Sequence, residues 1–316
     1  MFKKLTYTFI LTGLCLSQTL TPAGAASTKD TQTKNYSLDF GQAVYQVKTS
    51  PGQGQAVTYR AYEDIVYVKH PVDLTYQTMN IYIPENYFHR QSQGQYTAAT
   101  APIFFPNTVG GYMPGAAGKP GMDNRTGKEN AALIALSKGL VVAEPGARGR
   151  TNKNKAGLYT GKAPAAIVDL KAAVRYLRFN DKKMPGNAER IISNGTSAGG
   201  ALSSLLAASG NNKDYEPYLQ ALGAAKVRDD IYAASIYCPI TNLENADKAY
   251  EWYFDKIYNY ARRGMPGMMP SPGGALPVLP PNFKPRVVTG TMTTAQIQLA
   301  KELAPTFPAY VNSLGL

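Results

Sequence analysis

One serine of the sequence lies between two glycines where a short apolar run meets a run of small residues. Gly195, Ser197 and Gly199 give the pattern G-x-S-x-G within RIISNGTSAGGALSSLLAASG. The preceding residues are typical of a strand, and the following ones are typical of a helix. In such a strand–turn–helix, called a nucleophile elbow, the serine hydroxyl is exposed above the sheet and attacks a carbonyl carbon. We predict that Ser197 is a catalytic nucleophile. The alternative is that the glycines only let a helix pack on a strand.

Attack on an ester also needs hydrogen-bond donors for the charge that develops on the carbonyl oxygen. The N–H of Ala198 is expected to be one donor, because Ala198 follows the nucleophile and begins a helix. The second donor usually comes from a loop after an earlier strand, where FFPNTVGGYMPG contains Gly110 and Gly111. We predict an oxyanion hole formed by Gly111 and Ala198. The alternative is that the two loop glycines only form a turn.

The elements that must position these residues alternate between strands and helices after an all-strand start. AVYQVKT, VTYRAYEDIVYVKH and QTMNIYIPENY predict opening antiparallel strands. APIFFPN and GLVVAEP are typical of strands buried on both faces, and IYAASIYCPI indicates a later strand. Helices are predicted at 129–138 and 163–180. This order predicts an α/β fold, a mostly parallel sheet with helices on both faces.

The character of the sequence changes after residue 241. NLENADKAYEWYFDKIYNYARRG predicts an aromatic-rich helix. The segment 265–285 contains seven prolines and three methionines, which favours a loop or the start of a lid. A last helix is predicted at Thr294–Leu303.

The first 25 residues have the features of a secretory signal peptide. Lys3 and Lys4 precede the apolar run 5–16, and small residues at 23–25 offer a cleavage site. Cys15 raises the alternative of a lipid anchor, but a leucine precedes it where a small residue is usual. No later run reaches the length needed to span a bilayer. We therefore expect a secreted or periplasmic protein without a membrane anchor.

Composition narrows the class of protein further. An apolar content of 44% in 316 residues is typical of a globular chain. The net charge of +12 comes from basic residues spread thinly, without a basic arm or reader motif, so no nucleic-acid partner is expected. No cluster has metal-ligand spacing, and we expect neither a metal nor a cofactor. Cys238, the remaining cysteine after the signal, is expected to be buried in a strand and to form no internal disulfide.

Several motifs together resemble one enzyme family. PIFFPNTVGGYMPG, GLVVAEPGARGR, NGTSAGG and FPAYVNSLGL resemble bacterial tannases, which are serine esterases of the α/β-hydrolase fold related to feruloyl esterases. The resemblance implies that a small phenolic substrate, a galloyl ester, is hydrolysed through an acyl-enzyme. It also implies an α/β-hydrolase core at 26–240 and a partial lid at 241–316. A feruloyl or general carboxylesterase is the alternative, because the elbow serves any ester.

The sequence departs from this family in its histidines. A catalytic serine needs a histidine as proton acceptor and an acid that orients it, and in this fold both follow the serine in the chain. The two histidines, His70 and His89, both precede Ser197. Acidic residues at 247, 251 and 255 are expected to be lid charges. We therefore expect a truncated chain that lacks the C-terminal strands, the acid and the histidine. A non-catalytic or degenerate homologue is the alternative.

Overall fold

The computed structural model describes residues 34–51, 56–123, 126–264 and 286–315. The chain divides into the units Met1–Thr33 and Lys34–Leu316, and the second contains all the described residues. The predicted signal peptide and the proline-rich segment 265–285 lie outside them. The proposed boundary between core and lid at residue 240 stays a prediction.

The larger sheet of the described chain has both antiparallel and parallel strands. Its strands are β1 (Gln46–Ser50), β2 (Val57–Val66), β3 (Thr78–Pro84), β4 (Pro102–Pro106), β5 (Val141–Pro145), β6 (Asn187–Thr196) and β7 (Ala233–Tyr237). Their order is β1-β2-β3-β5-β4-β6-β7. The pairs β1–β2, β2–β3 and β3–β5 are antiparallel. The pairs β5–β4, β4–β6 and β6–β7 are parallel. The predicted mixed sheet, whose parallel half contains the elbow, is confirmed.

Helices cover both faces of this sheet. The helices of the core are α1 (Ala131–Ser137), α2 (Ala165–Phe179), α3 (Ala198–Ala208) and α4 (Glu216–Ala221). Leu133 of α1 packs with Tyr82 in one apolar cluster, whereas Leu170 of α2 and Leu202 of α3 pack with Ile81 in another. Ile81 and Tyr82 are neighbours in β3, so their side chains point to opposite faces. The sheet is therefore buried between two helical layers.

Helix α2 is buried more completely than its apolar spacing predicts. Lys171 and Arg175 are buried together with the apolar residues, and both bind Asp229. The Asp229 carboxylate accepts from Lys171 Nζ at 2.9 Å and from Arg175 Nε at 2.8 Å. The N–H of Asn211 also donates to this carboxylate, at 2.8 Å. These charges can be buried because each has an oppositely charged partner.

The aromatic-rich segment after β7 is only partly helical, which corrects the sequence prediction. The elements here are α5 (Ala246–Tyr253), β8 (Asn259–Gly264), β9 (Arg286–Thr291), α6 (Thr294–Leu303) and α7 (Thr306–Ser313). Strand β8 pairs with β9 in a separate two-stranded sheet. A helix was predicted across this segment because local periodicity gives no information about a strand partner more than 20 residues away. The predicted helix Thr294–Leu303 has the bounds of α6.

The prediction that Cys238 is buried in a strand is wrong. Strand β7 ends at Tyr237, and Cys238 is exposed with a φ of 37°. A left-handed backbone angle turns the chain out of the strand direction, so the thiol leaves the sheet.

The buried charge cluster on α2 predicts a large difference between two neighbouring aspartates. Asp229→Asn leaves Lys171 and Arg175 without a full counter-charge and should lower the free energy of unfolding by about 3–5 kcal/mol. Asp230→Asn is the matched control, because that side chain is 35% exposed and should change stability by less than about 1 kcal/mol. Urea unfolding of both variants checks this, and equal effects would contradict it.

Candidate active site

The predicted nucleophile lies at an abrupt junction of strand and helix. Strand β6 ends at Thr196 and α3 begins at Ala198. Ser197 between them has φ 58° and ψ −121°, angles that a residue with a side chain rarely adopts and that cost about 1–3 kcal/mol. Its N–H donates to Tyr237 O of β7 at 3.0 Å. The strain and the bond together hold Ser197 in the geometry of a nucleophile elbow.

The glycines around Ser197 are required by close approach of the backbone. A Cβ on Gly199 would lie 2.7 Å from Asn107 Oδ1 and 2.8 Å from Val109 O. A Cβ on Gly195 would overlap the carbonyl of Gly199. The G-x-S-x-G spacing therefore lets α3 start directly against β6 and against the loop after β4.

The Ser197 side chain is exposed at the carboxyl end of the parallel strands. Its hydroxyl has no hydrogen-bond partner within the described part of the chain. Ligands of open α/β sheets bind at this end of the strands. The position of Ser197 is therefore suited to attack on a bound ester.

The two predicted oxyanion donors have free N–H groups among the described residues. Ala198 is the first residue of the eleven-residue helix α3, where no intrahelical acceptor is available. Gly111 has a φ of +57° in a turn closed by Met113 N donating to Gly110 O at 2.9 Å. Both loop glycines are exposed with open space where a Cβ would point. The pairing of Gly111 with Ala198 around one oxygen stays a prediction.

The loop after β5 is held by a buried network that the sequence analysis missed. Arg148 donates from its backbone N–H to Asp169 Oδ2 and from Nη2 to Asp169 Oδ1, both at 2.8 Å. Gln77 Nε2 donates to the same carboxylate at 2.8 Å. Two residues further on, Arg150 N donates to Tyr112 O at 2.8 Å. Through this network the fixed β5 loop supports the loop that contains Gly111.

An apolar pocket of about 580 Å³ lies between the Gly111 loop, α2, α3 and α5. Its lining includes Tyr112, Leu202, Leu205, Ile240 and Tyr250. A volume in this range and an apolar, aromatic lining suit a small organic ligand. Nothing in the sequence pattern alone indicated that these distant residues share a cavity.

Neither histidine lies in hydrogen-bond contact with Ser197 in the described structure. His89 is exposed and contacts Glu85 Oε1 at 3.2 Å, and the exposed His70 donates from its backbone to Leu222 O. Asp247 lies on α5 and Asp255 just beyond it, both exposed. The described chain therefore presents an exposed Ser197 at a strand–helix junction, but no histidine that is hydrogen-bonded to it.

Glu144 is a buried carboxyl at the carboxyl end of β5. Burial raises its pKa to about 8, and its Oε1 has no hydrogen-bond partner within the described ranges. The carboxyl packs against Gly118 so closely that a Cβ there would overlap it. Glu144 is therefore protonated at neutral pH.

Comparison with known proteins found one matching family and several similar structures. Residues 136–259 match a family described as BD-FAE, which is an α/β-hydrolase family. A Fusobacterium nucleatum tannase structure is 55% identical, with a TM-score of 0.77 and coverage of 89% of this chain. A Lactobacillus plantarum tannase structure is 43% identical, with a TM-score of 0.72 and coverage of 88%. A tannin acyl hydrolase in complex with ethyl gallate is also 43% identical, with a TM-score of 0.69 and the same coverage.

These likenesses cover only part of the similar proteins. The chain spans 57% of both the F. nucleatum and the L. plantarum tannase chains, and 56% of the one bound to ethyl gallate. A search of curated proteins found no match. The α/β-hydrolase fold and the resemblance to tannases are confirmed.

Glu144→Gln is expected to increase stability in a pH-dependent manner. The unfolded carboxyl loses its proton near pH 4.5, whereas the folded one keeps it to about pH 8. The parent protein therefore loses stability between these values as pH rises, and Gln, which does not titrate, avoids that loss. The melting temperature of the variant minus that of the parent should rise from pH 4.5 to pH 8 and then level off.

Glu63→Gln is the matched control, because the pKa of Glu63 shifts in the opposite direction. Burial opposes the shift, but hydrogen bonds from Lys48 and Lys119 hold the pKa of Glu63 below its usual value. This variant should melt below the parent at neutral pH, and the deficit should shrink as pH falls through the carboxyl range. A flat pH profile for Glu144→Gln would contradict the assignment of a buried, neutral Glu144.

Proposed function

We propose that this chain contains the nucleophile and oxyanion donors of a serine esterase that hydrolyses galloyl esters. The observation that supports this most directly is the exposed, strained Ser197 between β6 and α3. The close relation to tannase structures, one of them bound to ethyl gallate, supports the substrate class. The reaction steps below follow from the general chemistry of serine esterases.

The reaction proceeds in two transfers of the acyl group. Ser197 Oγ bonds to the ester carbonyl carbon while its proton passes to a base, and the N–H groups of Gly111 and Ala198 donate to the carbonyl oxygen. The carbon–oxygen bond to the alcohol then breaks, and the alcohol leaves with that proton. Water attacks the acyl-enzyme, gallate is released and the serine regains its proton.

The proton acceptor and its orienting acid are proposed to come from residues outside this sequence. The His89 ring contacts Glu85, and neither His89 nor His70 is hydrogen-bonded to Ser197 in the described structure. A serine without a base is a weak nucleophile. A non-catalytic phenolic-binding protein is the alternative, and an open reading frame downstream that encodes an aspartate and a late histidine would favour the esterase.

The aromatic part of the ester is proposed to bind in the apolar pocket beside the Gly111 loop. Tyr112 and Ile240 line it, and its volume exceeds that of a single phenolic ring. A feruloyl ester would use the same elbow and oxyanion donors. Comparing the affinities for methyl gallate and methyl ferulate shows which of these two acyl groups the pocket prefers.

The protein is further proposed to be exported, on the strength of the basic and apolar pattern of its first 25 residues. Among the described residues, no helix combines the length and apolar character that a bilayer span requires.

Labelling with a fluorophosphonate tests the nucleophile directly. The purified 316-residue chain should label slowly at Ser197, and Ser197→Ala should abolish the label. Ser204→Ala is the matched control, because Ser204 lies on α3 with its hydroxyl bonded to Gly200 O and should label as the parent does. Turnover of methyl gallate by this chain should be negligible, since loss of the base removes several orders of magnitude of rate. Labelling that persists in Ser197→Ala would reject the proposed nucleophile.

Filling the pocket tests where the aromatic part binds. Leu205→Trp should weaken binding of methyl gallate to the Ser197→Ala protein by about tenfold, because the larger side chain occupies the cavity. Leu299→Trp is the control, since Leu299 is 55% exposed on α6 and away from the pocket lining. Equilibrium dialysis measures both. Equal affinities in the two variants would place the ligand elsewhere.

A further inference from the structure

The loop with Gly111 and the elbow with Ser197 meet at one side chain, that of Asn107. Asn107 follows directly after β4, and its backbone N–H donates to Asn194 O of β6 at 3.0 Å. Its side-chain Nδ2 lies 3.1 Å from each of three acceptors: Asn194 O, Gly199 O and Ser203 Oγ. One amide thus contacts β6 before the nucleophile and α3 after it.

The other atom of the same amide points to the loop. Asn107 Oδ1 accepts from the N–H of Val109 at 3.3 Å. Val109 is buried and directly precedes the exposed Gly110. Asn107 therefore joins the loop base to the first turns of α3.

The space for this contact exists because Gly199 has no side chain. A Cβ on Gly199 would lie 2.7 Å from Asn107 Oδ1, nearer than atoms tolerate. The Asn107 side chain thus uses the space that a side chain at Gly199 would fill. The distance between α3 and the loop is therefore set by the contact of Gly199 with Asn107 and Val109.

We propose that Asn107 is a positioning residue that fixes the distance between the N–H groups of Gly111 and Ala198. This inference rests on the proposed function, in which those two groups bind the developing oxyanion. The residue acts through both elements and touches no substrate. An amide fits this position because its NH2 group shares two hydrogens among three nearby oxygens while its own oxygen accepts from Val109.

Asn107→Asp tests this role with minimal change in shape. The carboxylate keeps the acceptor for Val109 but turns an oxygen toward the carbonyl oxygens of Asn194 and Gly199, so the loop should move away from α3. Fluorophosphonate labelling of Ser197 in the full 316-residue chain should slow by about tenfold or more, since oxyanion donors act only when aligned. Hydrogen exchange should accelerate in peptides that cover 108–113 and 198–203.

Asn180→Asp is the matched control for a purely structural role. Asn180 is buried, donates from Nδ2 to Leu38 O and Tyr176 O, and accepts from Phe40 N. Its substitution should lower the melting temperature and leave both the labelling rate and exchange at the elbow unchanged. Ser203→Ala removes only one of the three acceptors of Asn107. It should give a smaller slowing of labelling and serves as the second variant if Asn107→Asp does not fold.

The outcomes separate the inference from the proposed function. Parent-like labelling and exchange in Asn107→Asp would overturn the inference, as would equal slowing in Asn180→Asp. If the parent itself is not labelled at Ser197, the proposed function fails. In that case, hydrogen exchange in the segments 108–113 and 198–203 of Asn107→Asp still shows whether Asn107 joins these two segments.

Discussion

The contact between the start of α3 and the loop after β4 is the constraint on which the candidate site depends. It is a backbone contact, made possible by Gly199 and completed by the amide of Asn107. The strain at Ser197 is tolerated because β6, β7 and α3 all hold the residue from outside the turn. The orientation of Ser197 and the position of the loop after β4 therefore depend on the same contact.

The sequence predicted the local elements well and the long-range contacts poorly. The pattern around Ser197 was predictable because strand, turn and helix are consecutive and each has its own periodicity. Helix α6 was also predicted with its bounds, and in the structure a capping box of Thr293 and Gln296 precedes and closes its first turn. Strand β8 was missed because its partner is remote in sequence. Cys238 was misplaced because no pattern marks a left-handed residue that is not glycine.

Among the site residues, too, those in local motifs were predicted and those defined by long-range contacts were not. Ser197 and the loop glycines were predicted from motifs, whereas Asn107 was not, although it stands in the same motif as Gly111. An asparagine after a strand is common, and only coordinates reveal that its amide spans two elements. The network of Arg148 and Asp169 was equally hidden, because 21 residues separate the two partners.

Two buried acidic residues of the described chain, Asp229 and Glu144, differ in their partners. Asp229 pairs with the two cations Lys171 and Arg175, and these contacts join α2 to the segment before β7. Glu144 has no ion-pair partner among the described residues, and burial raises its pKa, which favours the protonated carboxyl. The Asp229 cluster stabilises the scaffold around α2. Glu144 packs against Gly118, in the segment that follows Gly111, where an unpaired charge would be costly.

Strand β7 is the outermost strand of the sheet on the side of the nucleophile. The carbonyl of its last residue, Tyr237, accepts the N–H of Ser197. Ser197 is thus one strand from an edge of the described sheet, and the backbone groups of an edge strand can pair with another polypeptide. A strand added along β7 would reinforce the acceptor of the Ser197 N–H, whereas fraying of β7 would release it.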